Sequence, residues 1–305
     1  MADSTTIYDG KKVTTTLSGI RVQTACHLGL PLNYPEKSTI NEHLSVFKDV
    51  MPDAMARPTA KFLVLGNRGH KVTEQTDNLQ GVVPVTHQPT DAAPYGIIPL
   101  VLRPVDKDLA DDVRDRYCLR RLETHNNVRY WAYYAKRLSY PGKTVTDYYT
   151  KVRDGVSTVN EFKYTDLNLH PTQPDLTDYN FDVTDTVVAS DGDYVNTSAA
   201  IEIKLDAFDV AELINVAKIK YQNPTMAIIS EFCLCTGVDT SATGESFMGS
   251  PFTYEEVAGC QVSLFLTTFI NVAFNNGGVG YTVTMGQTEP FALATGQIAS
   301  GVNIA

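Results

Sequence analysis

The sequence predicts an α+β fold that is mostly β, with a sheet-rich, sandwich-like core, a few short helices and extended terminal arms. Period-two alternation of apolar residues recurs along the chain and is clearest over residues 261–285. Five prolines between residues 81 and 104, and an aromatic run over 128–138, suit strands rather than helices. Helical spacing is confined to short stretches, at 42–50, 106–121 and after Asp206.

Taken in order, residues 1–20 are polar and Thr-rich and read as an extended arm, either unstructured or adding to a neighbour's sheet. Residues 28–35 are irregular. Ser38 or Asn41 is placed to cap a helix over 42–50 that carries Leu44, Phe47 and Val50 and stops at Pro52. Lys61-Phe62-Leu63-Val64-Leu65 is a strand running into the turn Gly66-Asn67-Arg68-Gly69-His70, which lacks the spacing of a phosphate-binding loop. Pro99 and Pro104 bracket Leu100-Val101-Leu102, so that segment is extended chain or an edge strand. Leu109, Val113 and Tyr117, with acids first and arginines last, predict a helix over 106–121. Asn126-Asn127 turns the chain into the aromatic strand 128–138.

Alternation resumes over 156–169, and an acidic run with Pro171 and Pro174 follows. Asp191-Gly192-Asp193 resembles the start of a calcium loop, but Val195 stands where a third ligand belongs. Residues 200–205 form a strand. Asp206 caps a helix that turns Val210, Leu213, Ile214, Val216 and Ala217 inward. Residues 227–235 are apolar throughout and read as a strand buried on both faces, 237–250 as a Ser/Thr/Gly loop. The segment 261–285 reads as a long hairpin turning at Asn275-Asn276-Gly277-Gly278. Its apolar face, Val262, Leu264, Leu266, Ile270, Val272, Phe274, Tyr281 and Val283, is the candidate interface. The expected organisation is an arm at 1–20, an α+β domain at 21–170, an acidic linker or loop at 171–198, a β-rich domain at 199–290 and an uncharged tail at 291–305.

Composition bounds the function. At 305 residues and 43% apolar content the chain buries a real core. Its net charge of −10 argues against nucleic acid or an anionic membrane as the main partner. The apolar run 257–274 is too polar to span a bilayer as a helix, and the first residues lack the basic and apolar regions of a signal peptide, so folding in a cytoplasm is expected. Five scattered cysteines read as reduced, buried thiols. All 25 Lys and Arg lie at or before Lys220, and only acids, such as Glu231, Glu245, Glu255 and Glu256, follow. Two readings stand: an acidic Ser/Thr-rich domain, or a segment buried against other subunits.

Catalytic constellations are thin. Cys26-His27 are adjacent, Cys118 and His125 carry no flanking signature, and Glu255-Glu256 are paired only in sequence. Cys233 and Cys235 form a Cys-x-Cys pair without partners at metal-binding spacing. No catalytic, metal or cofactor residue is assigned, no cofactor is expected, and the chain is not expected to be an enzyme.

The segments 60–70 (Ala60-Lys61-Phe62-Leu63-Val64-Leu65-Gly66-Asn67-Arg68-Gly69-His70) and 129–138 (Arg129-Tyr130-Trp131-Ala132-Tyr133-Tyr134-Ala135-Lys136-Arg137-Leu138), with the Thr/Asn/Gly-rich C-terminal segment, give the chain its likeness to known proteins. It resembles virion structural proteins of tailed bacteriophages, in the style of neck or baseplate-wedge components of contractile-tailed phages. That resemblance covers the chain loosely and transfers no site residue. It implies a non-enzymatic, oligomeric subunit of the tail or neck, located in the virion and assembled in the host cytoplasm. Its implied partners are copies of itself and other virion proteins. The alternative is a carbohydrate- or receptor-binding module using Trp131 and its neighbouring tyrosines as an exposed sheet face.

Overall fold

The computed structural model describes residues 11–74, 80–153, 156–169, 194–274 and 277–290. The first ten residues of the arm, the acidic run through Asp191-Gly192-Asp193, the Asn275-Asn276 turn and the tail 291–305 lie outside the described residues.

Strands and helices follow in this order. The N-terminal part holds β1 (Lys12–Thr15), α1 (Leu17–Leu28), α2 (Ile40–Leu44), β2 (Thr59–Gly66), β3 (His70–Glu74), β4 (Gln80–Pro84), β5 (Ile97–Ile98) and β6 (Val101–Pro104). The middle holds α3 (Asp111–Arg114), β7 (Tyr117–His125), β8 (Val128–Arg137), β9 (Thr146–Arg153), β10 (Val156–Glu161), α4 (Asp166–Leu169), β11 (Tyr194–Leu205) and α5 (Ala207–Tyr221). The C-terminal part is β12 (Ile228–Glu245), β13 (Pro251–Asn271) and β14 (Val279–Pro290). The fold is sheet-rich α+β, as the alternation predicts.

Contacts divide the chain into two units, residues 1–139 with 204–280, and residues 140–203 with 281–305. This differs from the expected division at 170 and 198, because β12 pairs with β2 and so joins early and late segments in one sheet. The first unit is built on the order β1-β13-β12-β2-β8-β6, with β5 on β2 and β7 on β8, plus the β3-β4 ribbon. The second holds the sheet β10-β9-β11-β14.

The expected hairpin over 261–285 does not form. β13 folds back on β12 and pairs with it from Ile228↔Asn271 to Glu245↔Pro251, with three register shifts between Ile229 and Val238, and β14 lies in the other sheet. The reason is burial. Residues 256–268 of β13 are buried without interruption, so both faces are covered, whereas β14 buries only alternate positions such as Val279 and Val283. The loop expected over 237–250 is mostly strand, and only 246–250 turns. The other edge of β13 is closed by the chain itself, through Lys12↔Thr267 to Thr15↔Leu264. The described part of the arm therefore adds to its own chain's sheet, where the two expected readings were an unstructured arm and one added to a neighbour's sheet.

Two helical expectations also change. The stretch 106–121 holds a single 3₁₀ turn and the short α3, and from Tyr117 onward it is β7. Asn126 and Asn127 both have positive φ, 51° and 62°, the signature of a tight hairpin turn, and the β7–β8 pairing this turn imposes overrides helical spacing. α2 is shorter than expected and is capped by Thr39, whose side chain accepts from the Glu42 N–H while Glu42 reaches back. α1 carries no amphipathic signal. It is held because Thr16 caps Gly19 and hydrogen-bonds the Val262 carbonyl, and because Gly19 sits on Ser263, whose carbonyl oxygen would lie 2.7 Å from any Cβ.

The core of the first unit joins Phe62 and Val64, Leu102, Leu119, Tyr134, Val216, Cys233 and Cys235, Val257, Cys260 and Phe265. Each large side chain there contributes about 2 kcal/mol through burial. Acids run through the same interior. Glu256 accepts from the backbone N–H of Leu119, Arg120 (3.1 Å) and Val257 (2.9 Å), fixing Leu119 at φ 56°. Burial pushes its carboxyl above the usual range against those three donors. Asp209 is held by Lys136, the Tyr117 hydroxyl (2.6 Å) and the Asp206 N–H (2.7 Å).

Two outcomes follow. Gly19→Ala, by lifting α1 off β13, should lower stability to urea by about 1–3 kcal/mol. Glu256→Ala should cost about 2–4 kcal/mol, because it strands buried donors, while Glu256→Gln should cost less; a neutral Glu256→Ala in urea melts would contradict the role given to this carboxylate.

Candidate functional site

The cluster that most resembles catalytic machinery is buried structure. His87 bonds Asp91 through Nδ1 (2.8 Å) and Glu231 through Nε2 (2.9 Å), and Glu231 also accepts from the N–H of Tyr95 (2.7 Å) and Arg68 (3.1 Å). The imidazole is sandwiched between Tyr95 and Phe265 at centroid distances of 4.3 and 3.7 Å, so both ring faces are closed to a substrate. The network fastens the 87–95 segment to β12 and completes the hydrogen bonds of a buried acid. Cys118, Cys233, Cys235 and Cys260 are buried thiols of the core, with the Cys118, Cys233 and Cys260 thiols pushed well above their ordinary range; burial leads for Cys118 and Cys233, and the Cys235 hydrogen bond leads for Cys260. His125 bonds Glu123 (2.9 Å) and does not meet Cys118. Glu256 is buried and Glu255 exposed, so their carboxylates do not share a cleft. Among the described residues no three His, Cys, Asp or Glu side chains gather as a metal site.

The expected interface residues are mostly covered by the chain itself. Val262, Leu264, Leu266 and Val272 are buried in the first unit, and Ile270 is half-buried. Phe274 alone stands out, at 79% exposure. In the second unit, Val283 is buried and Tyr281 half-buried on β14. The aromatic platform expected around Trp131 is split by strand alternation: Tyr133 and Tyr134 are buried, and Trp131 is half-buried.

Two large apolar side chains are exposed side by side where β12 turns into β13. Ser246 to Ser250 form an ordered turn: the Ser246 N–H donates to the Ser250 carbonyl (2.8 Å), and the Gly249 N–H to the Ser246 carbonyl (2.9 Å). The Ser250 N–H donates to the Ser246 hydroxyl (3.0 Å), and Gly249 supplies a φ of 81°. These three bonds close the turn on itself and leave Phe247 71% and Met248 91% exposed.

Beside the apex lies an open cleft of about 720 Å³, lined by Phe47, Arg121, Arg129, Trp131, Tyr254 and Phe247 among others. Its wall is rigid. Arg120 stacks 3.4 Å over the Trp131 ring and donates to Asp108 (2.7 Å), and Phe252 and Tyr254 of β13 lie within 5.3 and 5.4 Å of the same guanidinium. The base of the hairpin is thereby clamped to β7 and β8. Arg121 is tied to Glu123 (3.2 Å) and the Leu44 carbonyl (2.8 Å). Arg129 is exposed and has no carboxylate partner among the described residues, and Glu245 at the foot of the apex is exposed with no cationic partner among them. Sequence reasoning missed Phe247 and Met248 by reading 237–250 as a polar loop. The signal was there: two large apolar residues between Ser246 and Gly249 at a turn.

No curated protein and no solved structure matches the chain. A family model does match, over residues 1–300, and on that extent the chain belongs to DUF7208, a family of unknown function.

Proposed function

We propose that this chain is a non-enzymatic structural subunit of a larger assembly and acts through protein–protein contacts. The observation that carries the reading is the hairpin apex, where an ordered turn holds Phe247 and Met248 in solvent at 71% and 91% exposure. A turn closed by its own hydrogen bonds has no need of two large apolar side chains, and such groups held outward favour a partner surface. The acid-histidine network of Glu231, His87 and Asp91 supports the same view, since its geometry serves packing. As the finer reading we propose a virion, with the subunit in the neck or baseplate of a contractile-tailed phage; that rests on the resemblance of 60–70, 129–138 and the C-terminal segment alone. The sugar-platform alternative has less support, because Arg120 covers one face of Trp131 and Tyr133 and Tyr134 are buried.

Hydroxyl-radical footprinting after sedimentation of source-cell lysate tests the reading. An assembly subunit should sediment far above its 33.5 kDa and show Met248 protected there but strongly labelled in the purified chain. A lysate in which the chain sediments as a monomer with Met248 fully labelled would overturn it. Trp131 fluorescence should stay unchanged across a glycan panel.

A further inference from the structure

We infer that the partner of the apex is a second copy of this chain, with Phe247 and Met248 of one copy seated in the Trp131 cleft of another. This deepens the assembly reading and rests on it.

Three observations converge on a self-complementary surface. The first is shape. The cleft of about 720 Å³ is within the range that encloses sizeable ligands, with aromatic walls from Phe47, Trp131 and Tyr254. Ser246, Phe247 and Gly249 of the chain's own apex line one part of it, and Met248 stands outside at 91% exposure. The second is charge. Beyond Lys220 the chain has no Lys or Arg, so the hairpin is purely acidic, and Glu245 and Glu255 are exposed without a cationic partner among the described residues. The cleft, which Glu245 also lines, offers the opposite sign through Arg129, unpaired among the described residues, beside Arg121 in its ion pair with Glu123. An incoming hairpin brings an apolar tip to the aromatic wall and an acid to Arg129. The third is placement. Phe247 itself lines the cleft of its own chain, so donor and acceptor surfaces adjoin. When a first seat forms, a two-fold arrangement brings the reciprocal tip and cleft together, and both seats close at once.

A foreign protein is the competing occupant. Its tip would need the same acidic and apolar pairing, which this chain already carries beside the cleft.

Light scattering on the purified full chain, up to about 200 µM so that weak contacts register, reads the inference directly. The chain should exceed 33.5 kDa in a concentration-dependent way. Met248→Glu should weaken self-association about tenfold or more, with unchanged thermal melting because the side chain touches little of its own fold. Arg129→Glu and Glu245→Arg should each weaken it, and the double exchange should restore it, an outcome that a purely structural role for either residue does not produce. A purified chain that stays monomeric at every concentration overturns the inference. If that monomer still sediments at high mass in source lysate, the assembly reading stands and the apex belongs to a different protein; if it does not, both fail together. Self-association that is indifferent to Met248→Glu and to the charge exchange would likewise overturn the seat proposed here.

Discussion

The pairing of β12 with β13 is the interaction on which the rest of the first unit depends. Sixteen residue pairs run from Ile228↔Asn271 to Glu245↔Pro251, and the inner half of that ribbon is covered on both faces. A strand covered on both faces has no place for an ordinary Lys or Arg, because an unpaired buried ammonium or guanidinium is costly. The charge map of the C-terminal third therefore follows from the chain's own core as far as the middle of each strand. Beyond it the ribbon leaves the core and projects, and there the absence of cations shapes a surface.

Acids do occur within the buried ribbon, and each is answered. Glu231 meets His87 and two backbone N–H groups, and Glu256 meets three. Asp239 pairs with Lys61 and with Arg137 at 3.0 Å. Buried carboxylates near histidine or arginine invite catalytic readings, but a catalytic group needs access to a reacting atom. Here the ring faces of His87 are occupied by Tyr95 and Phe265, and the oxygens of Glu256 by backbone donors. These acids join segments distant in sequence, and the Glu256 contact positions Arg120 for its stack on Trp131.

Much of the architecture was legible in the residues. Apolar or aromatic runs marked β2, β8 and β12, alternation marked β11 and β13, and Asp206 with Asp209 marked the start of α5, whose capping box is present. What was not legible was pairing. Alternation identifies a strand and its faces, but a partner is chosen by burial on those faces and by distant segments. A hairpin from 261 to 285 was therefore plausible from pattern and is absent in fact. α1 was hidden for the opposite reason, since its apolar residues Leu17, Ile20 and Leu28 are exposed and only Val22 and Ala25 turn inward. For the candidate site, Trp131 and Arg129 were in view early, whereas Phe247 and Met248 took on meaning only once the turn at 246–250 held them apart from the body.

Contact through the hairpin apex is read by placing a photo-reactive benzoylphenylalanine at position 248 and mixing isotopically light and heavy chains before irradiation. Mixed light–heavy cross-links from position 248 to the wall carrying Arg129 and Trp131 are the predicted result. Cross-links confined to single chains, or none at all at concentrations where the chain self-associates, would contradict it.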